Sequence, residues 1–122
     1  MIPVGTVLRV ADNSGAKALK VVGIPGNSKR RFAYVGDVVT VVVKGATSVG
    51  TVKDHSIVKA MIVRTKKERR RKDGSYIRFD DNAAVILGDE KEPKGSRILG
   101  PTAKELKDKG FGTIAMMASE LL

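Results

Sequence analysis

The sequence predicts a mainly β chain: a small closed five-stranded β-barrel with a projecting basic β-hairpin and two short C-terminal α-helices. Three observations lead there. Short β-branched runs broken by turn residues fill the first two thirds of the 122 residues. One stretch around an Asp-Gly pair concentrates the positive charge. Near the end, the apolar spacing lengthens to three or four.

Thr6 to Ala11 and Ala18 to Ile24 are the first two predicted strands, parted by the turn sequence Asp12-Asn13-Ser14-Gly15. Asp37 to Lys44 is almost continuous Val, which suits either a strand buried on both faces or one crossing a tightly curved sheet. Ile57 to Thr65 and Ala83 to Leu87 complete five core strands. Closure is the favoured arrangement, because it removes exposed edges. Val39, Val41, Val43, Ile62, Val85 and Ile86 are the expected core.

Further on, Ser96 to Leu99 reads as a short strand. Thr102-Ala103-Lys104-Glu105 matches a capping box opening a helix to about Lys109, stopped by Gly110. In Phe111 to Leu122, Ile114, Met117, Ala118 and Leu121 recur at helical spacing and predict a second helix. One domain over 1–122 is expected, with the barrel at about 1–90 (hairpin 64–79 included) and the helical part at about 100–122.

The charge balance narrows the function. Twenty-three Lys and Arg against thirteen Asp and Glu leave +10. Such a charge opposes compaction unless a polyanion neutralises it. No apolar run approaches the roughly 18 residues of a membrane span, and the N-terminus lacks the pattern of a secretory signal. Without Cys there is no disulfide framework, and a reducing cytoplasm is the simplest location.

Arg64 to Arg78 holds eight basic and two acidic residues, six of the ten net charges. Asp73-Gly74 reads as a two-residue type I′ turn. That register sets Arg71 opposite Tyr76 and Arg69 opposite Arg78. Lys67, Arg69, Arg71, Tyr76 and Arg78 then share one face, and Glu68, Arg70, Lys72, Ile77 and Phe79 the other. Arginines side by side repel unless phosphates lie between them, and the guanidinium fork suits phosphate oxygens. Arg64, Lys66, Lys67, Arg69, Arg70, Arg71, Lys72, Tyr76 and Arg78 are therefore candidate RNA contacts. Lys17 and the loop Lys29-Arg30-Arg31 join them. Few aromatics are present, so backbone and shape recognition of folded RNA fits better than stacking on single strands.

Catalysis finds no support. His55, the single His, sits at Asp54-His55-Ser56 in a predicted loop with no evident converging nucleophile. One His without Cys makes no transition-metal site, and no cofactor is expected. Asp80 would lie opposite Lys67 and balance its charge.

These stretches resemble the universal large-subunit ribosomal protein fourteen family. The resemblance rests on Ala60-Met61-Ile62-Val63, a basic spacer, Asp73-Gly74, Phe79, Asn82 and Val85-Ile86. It is reinforced by Val10 to Ala16, Gly36 to Val39, Val63 to Lys67, Gly95 to Ile98 and Gly100-Pro101 leading into Ala103 to Leu106. It implies binding to large-subunit rRNA, a place on the inter-subunit face and a bridge to small-subunit rRNA, on a cytoplasmic ribosome or on that of an organelle. The implied protein partners are large-subunit proteins three and nineteen and the ribosome silencing factor. Ser96, Arg97, Lys107 and Met117 fall on the implied protein-partner and inter-subunit face. Glu68 and Lys72 depart from the family's usual Gly and Pro.

Overall fold

The computed structural model describes residues 2–25, 32–46, 52–88, 93, 98–104, 106, 117 and 120–122. In chain order the strands are β1 (Ile2–Pro3), β2 (Val7–Val10), β3 (Ala16–Gly23), β4 (Phe32–Ala33), β5 (Val38–Ala46) and β6 (Ile57–Arg64). They continue as β7 (Arg69–Arg70), β8 (Tyr76–Ile77), β9 (Ala83–Leu87), β10 (Pro101–Thr102) and β11 (Glu120–Leu121). The five predicted core strands close into a barrel in the order β2-β3-β5-β6-β9, and the closing seam β2–β9 is the parallel one.

Register explains the interior. Leu8 pairs with Leu19 and Leu19 with Val43, Val21 pairs with Val41, and Val39 pairs with Ala60, which pairs with Ile86. These side chains share the inner face because strand neighbours alternate and cross-strand partners do not. All are fully buried. In β5, burial alternates along the Val run, so the curved-sheet alternative holds and the strand's convex side meets solvent.

β6 and β9 differ. Met61 and Val85 pair with each other, one step out of phase with the inward Ile62 and Ala84, yet both are fully buried. Val85 thus belongs to the core as expected, but on the outer side of the barrel wall. Its cover comes from the C-terminal segment. Ile98 and Leu106 are buried there, Met117 packs against the core, and the Ala103 N–H donates to the Val63 carbonyl at 3.4 Å. A second apolar layer therefore lies over one side of the barrel.

Most of the two expected helices, 102–109 and 111–122, lies outside the described residues. The chain end departs from the second helix. Pro101 and Thr102 pair in parallel with Glu120 and Leu121, so this end is a strand. The reason is hydrogen-bond satisfaction from outside the segment: the Leu122 N–H donates to the Thr102 carbonyl at 2.9 Å, and the Lys104 N–H to the Leu122 carbonyl at 3.2 Å. Leu121 accordingly leaves the expected helical stripe. The short strand expected at 96–99 is described only at Ile98, bridged to Asp12, and at Leu99, whose N–H donates to the Ala11 carbonyl.

Candidate nucleic-acid interface

The basic stretch leaves β6 and returns into β9, so the barrel wall fixes both of its ends. The Asn82 side chain accepts from the Lys66 N–H at 2.7 Å, and the Phe79 N–H donates to the Thr65 carbonyl at 3.0 Å. Between these ties, β7 and β8 pair antiparallel, with Arg69 opposite Ile77 and Arg70 opposite Tyr76. The sequence-derived register was one residue out. The turn is the cause. Gly74 takes φ +88° while Asp73 is not left-handed, so a type I′ turn, which needs both, does not form. Instead Lys72, Asp73 and Gly74 make a three-residue loop. The Gly74 N–H donates to the Arg71 carbonyl at 3.0 Å, and the Arg71 N–H to the Ser75 carbonyl at 2.8 Å. The Asp73 carboxylate accepts from the Ser75 N–H at 3.0 Å and the Ser75 hydroxyl at 2.6 Å. Those two bonds hold the Asp73 carboxyl below its ordinary range, the hydroxyl contributing most.

One residue of register exchanges the partners. Arg69 and Arg71 now share a face with Ile77 and Phe79, not with Tyr76 and Arg78. That face turns to the protein. Arg69 donates to the Val35 carbonyl at 3.1 Å and lies 5.7 Å from the centre of the Tyr34 ring, and Arg71 donates to the Leu122 carbonyl. Ile77 is half-buried and Phe79 buried. The opposite face presents Arg70, Lys72, Arg78 and the Tyr76 ring, 66% exposed, to solvent. Lys66 and Lys67 are exposed at its base. Lys67 pairs with Glu68 at 2.9 Å, an ion-paired hydrogen bond that lowers the Glu68 pKa. The expected pairing of Lys67 with Asp80 is thus replaced by a neighbour in sequence.

Arg64 is placed differently again. β6 carries an irregularity between Ile62 and Arg64, which sets Arg64 opposite Ala83 on the outer wall. Only 8% of the residue is exposed. Its Nη1 donates to the carbonyls of Leu99 at 2.9 Å and Pro101 at 3.2 Å. Its Nη2 donates to the Asp81 carboxylate at 3.3 Å, and Nε lies 3.0 Å from the other oxygen of that carboxylate, off the N–H axis. Arg9 approaches Asp81 from outside at 3.6 Å. Arg64 therefore fastens the C-terminal segment to the barrel at the root of the hairpin. Gly100 sits over it: a Cβ there would press on Nη1, and the backbone φ is +81°.

Two carboxylates that composition does not single out complete this framework. Asp12 is buried and accepts from the Ser14 N–H and hydroxyl and from the Ile86 N–H, the last at 2.8 Å. It locks the end of β2 to β9. Asp81 neutralises Arg64. A signal for Asp81 was available, since an Arg ending an apolar strand needs a partner once the strand is buried. Asp12 looked like a turn residue and gave no such signal.

Of the remaining candidates, Lys17 is exposed with its stem packed on Gly45, while Met117 is half-buried against the core. Lys29, Arg30, Arg31, Ser96, Arg97 and Lys107 lie outside the described residues. His55 sits at a turn with φ +63°, its ring 3.4 Å from Asp54, and the Ser56 hydroxyl donates to the Lys53 carbonyl. Among the described residues no helix is long and apolar enough to cross a membrane.

The family model described as ribosomal protein L14p/L23e matches residues 1–122, the whole chain. The closed five-stranded barrel, the basic excess and this match agree, and the chain belongs to that family of structural, RNA-binding proteins of the large ribosomal subunit.

Proposed function

We propose that this chain binds large-subunit rRNA through the solvent face of the β7–β8 hairpin, by phosphate contacts from Lys66, Lys67, Arg70, Lys72 and Arg78. The single observation behind this reading is the division of the arginines. Arg64, Arg69 and Arg71 are engaged within the fold, whereas Arg70, Lys72 and Arg78 share an exposed face with Tyr76. Like charges so close on a two-residue ladder repel, and phosphates between them remove the repulsion. The inward arginines act as positioning groups that hold the ladder against the body. Lys17 and the basic run Lys29 to Arg31 add to the positive charge available to RNA.

The family resemblance supports the rest of the reading. Ser96, Arg97, Lys107 and Met117 mark the face toward small-subunit rRNA at a bridge. The silencing factor and large-subunit proteins three and nineteen are the protein partners, on a cytoplasmic ribosome. Two gradient experiments test the reading. Reversing Arg70, Lys72 and Arg78 to Glu should leave the circular dichroism of the isolated chain unchanged and keep it out of large subunits; normal incorporation would refute the RNA-binding face. Arg97→Glu should enter large subunits normally but weaken subunit joining or silencing-factor binding. Parental levels of both would remove Arg97 from that face.

A further inference from the structure

Away from the hairpin, the convex wall of the barrel carries a second surface of different chemistry. Register aligns Val7 with Lys20, Lys20 with Val42, and Val42 with Ile57, one row across β2, β3, β5 and β6. At about 4.8 Å per strand, the row is roughly 15 Å long. Its two ends are aliphatic and strongly exposed, Val7 at 60% and Ile57 at 69%. Lysines flank it: Lys44 is aligned with Ala18 in the next row, and Lys59 is aligned with Thr40 on the other side. Lys20, Lys44 and Lys59 are all exposed, and none of these aligned positions is acidic.

Single exposed aliphatics are ordinary, but an aligned set among like charges is not. RNA would satisfy the lysines alone. Its phosphates would lose water against Val7 and Ile57 without gaining a hydrogen bond. A protein segment with aliphatic side chains between carboxylates satisfies both parts, covering the apolar ends while its carboxylates meet the lysines. The hairpin is built for the other partner, with arginines and no exposed aliphatic on its solvent face. We infer that the wall formed by β2, β3, β5 and β6 docks an acidic, aliphatic-bearing segment of a neighbouring protein in the large subunit.

The inference rests on residence in the large subunit and not on the hairpin's RNA contacts, so incorporation is measured alongside. A photoreactive residue is placed at Val7 or, separately, at Ile57, and purified large subunits containing the chain are irradiated. The expected adduct survives ribonuclease, is lost to protease, and maps by mass spectrometry to a net-negative peptide containing aliphatic residues. Lys20→Glu with Lys44→Glu should lower its yield roughly tenfold, while the Lys→Arg pair keeps it and incorporation stays normal. A ribonuclease-sensitive adduct would mean that RNA covers the wall and would overturn the inference. So would an adduct indifferent to charge reversal, or no adduct at either position in subunits that contain the chain.

Discussion

Arg64 shows how one side chain can be read correctly in chemistry and misplaced in role. Its fork does bind oxygen atoms, but they are two backbone carbonyls and a carboxylate of its own chain. Sequence alone groups it with the arginines that follow, because charge density carries no information about burial. Removing it leaves the Asp81 carboxylate short of its main partner and two carbonyls without their donor. Arg64→Ala is therefore expected to cost about 3 kcal/mol, read by denaturant unfolding. Arg64→Lys should recover little, since an ammonium cannot span the three acceptors as a planar fork does. Gly100→Ala tests the same contact from the other side. The left-handed backbone opposes it, and the added Cβ would press on Nη1, so a loss of about 1 to 3 kcal/mol is expected. Unchanged unfolding of both Arg64→Ala and Gly100→Ala would show that this junction does not hold the C-terminal segment.

The strands were legible because alternation and turn residues act locally. All five barrel strands fall within a few residues of where Val, Ile and Ala runs place them. The hairpin register was not legible, because Asp-Gly serves two turns that differ by one residue. The deciding interaction, Asp73 to Ser75, keeps Asp73 out of the left-handed region and leaves Gly74 to take it alone. This has a pH consequence. The Asp73 pKa is lowered in the fold, so its contribution is present above the ordinary Asp value. It is lost as pH falls below that value and through the depressed one. Amide exchange at Ser75 should accelerate over that acid window relative to other exposed turns, and Asp73→Asn should abolish the difference. An exchange rate at Ser75 that follows only intrinsic pH dependence in the parent would contradict the turn assignment. The end of the expected second helix gives way to a strand for a non-local reason: residues 120 and 121 pair with β10, a partner that periodicity cannot see.

At the scale of the whole molecule, two tasks are separated by burial. The barrel and the layer over β6 and β9 pack together, with Ile62, Val39 and Ile86 fully buried. Ile62→Ala should lower stability by about 2 to 5 kcal/mol, a large share of what a small domain has; melting like the parent would remove Ile62 from the core. Against that body the hairpin is held by Arg69 and Arg71 and leaves Arg70, Lys72 and Arg78 to the solvent. The division is the central claim, and the salt dependence of binding to large-subunit rRNA tests it most directly. Each phosphate contact contributes roughly 0.9 to the slope of log affinity against log salt. Arg70, Lys72 and Arg78 changed together to Gln should flatten that slope by about two to three. Arg69 and Arg71 changed to Gln should weaken binding at every salt concentration and leave the slope within about one of the parent. An unchanged slope for the first variant, or an equal loss of slope for the second, would contradict the division of the arginines.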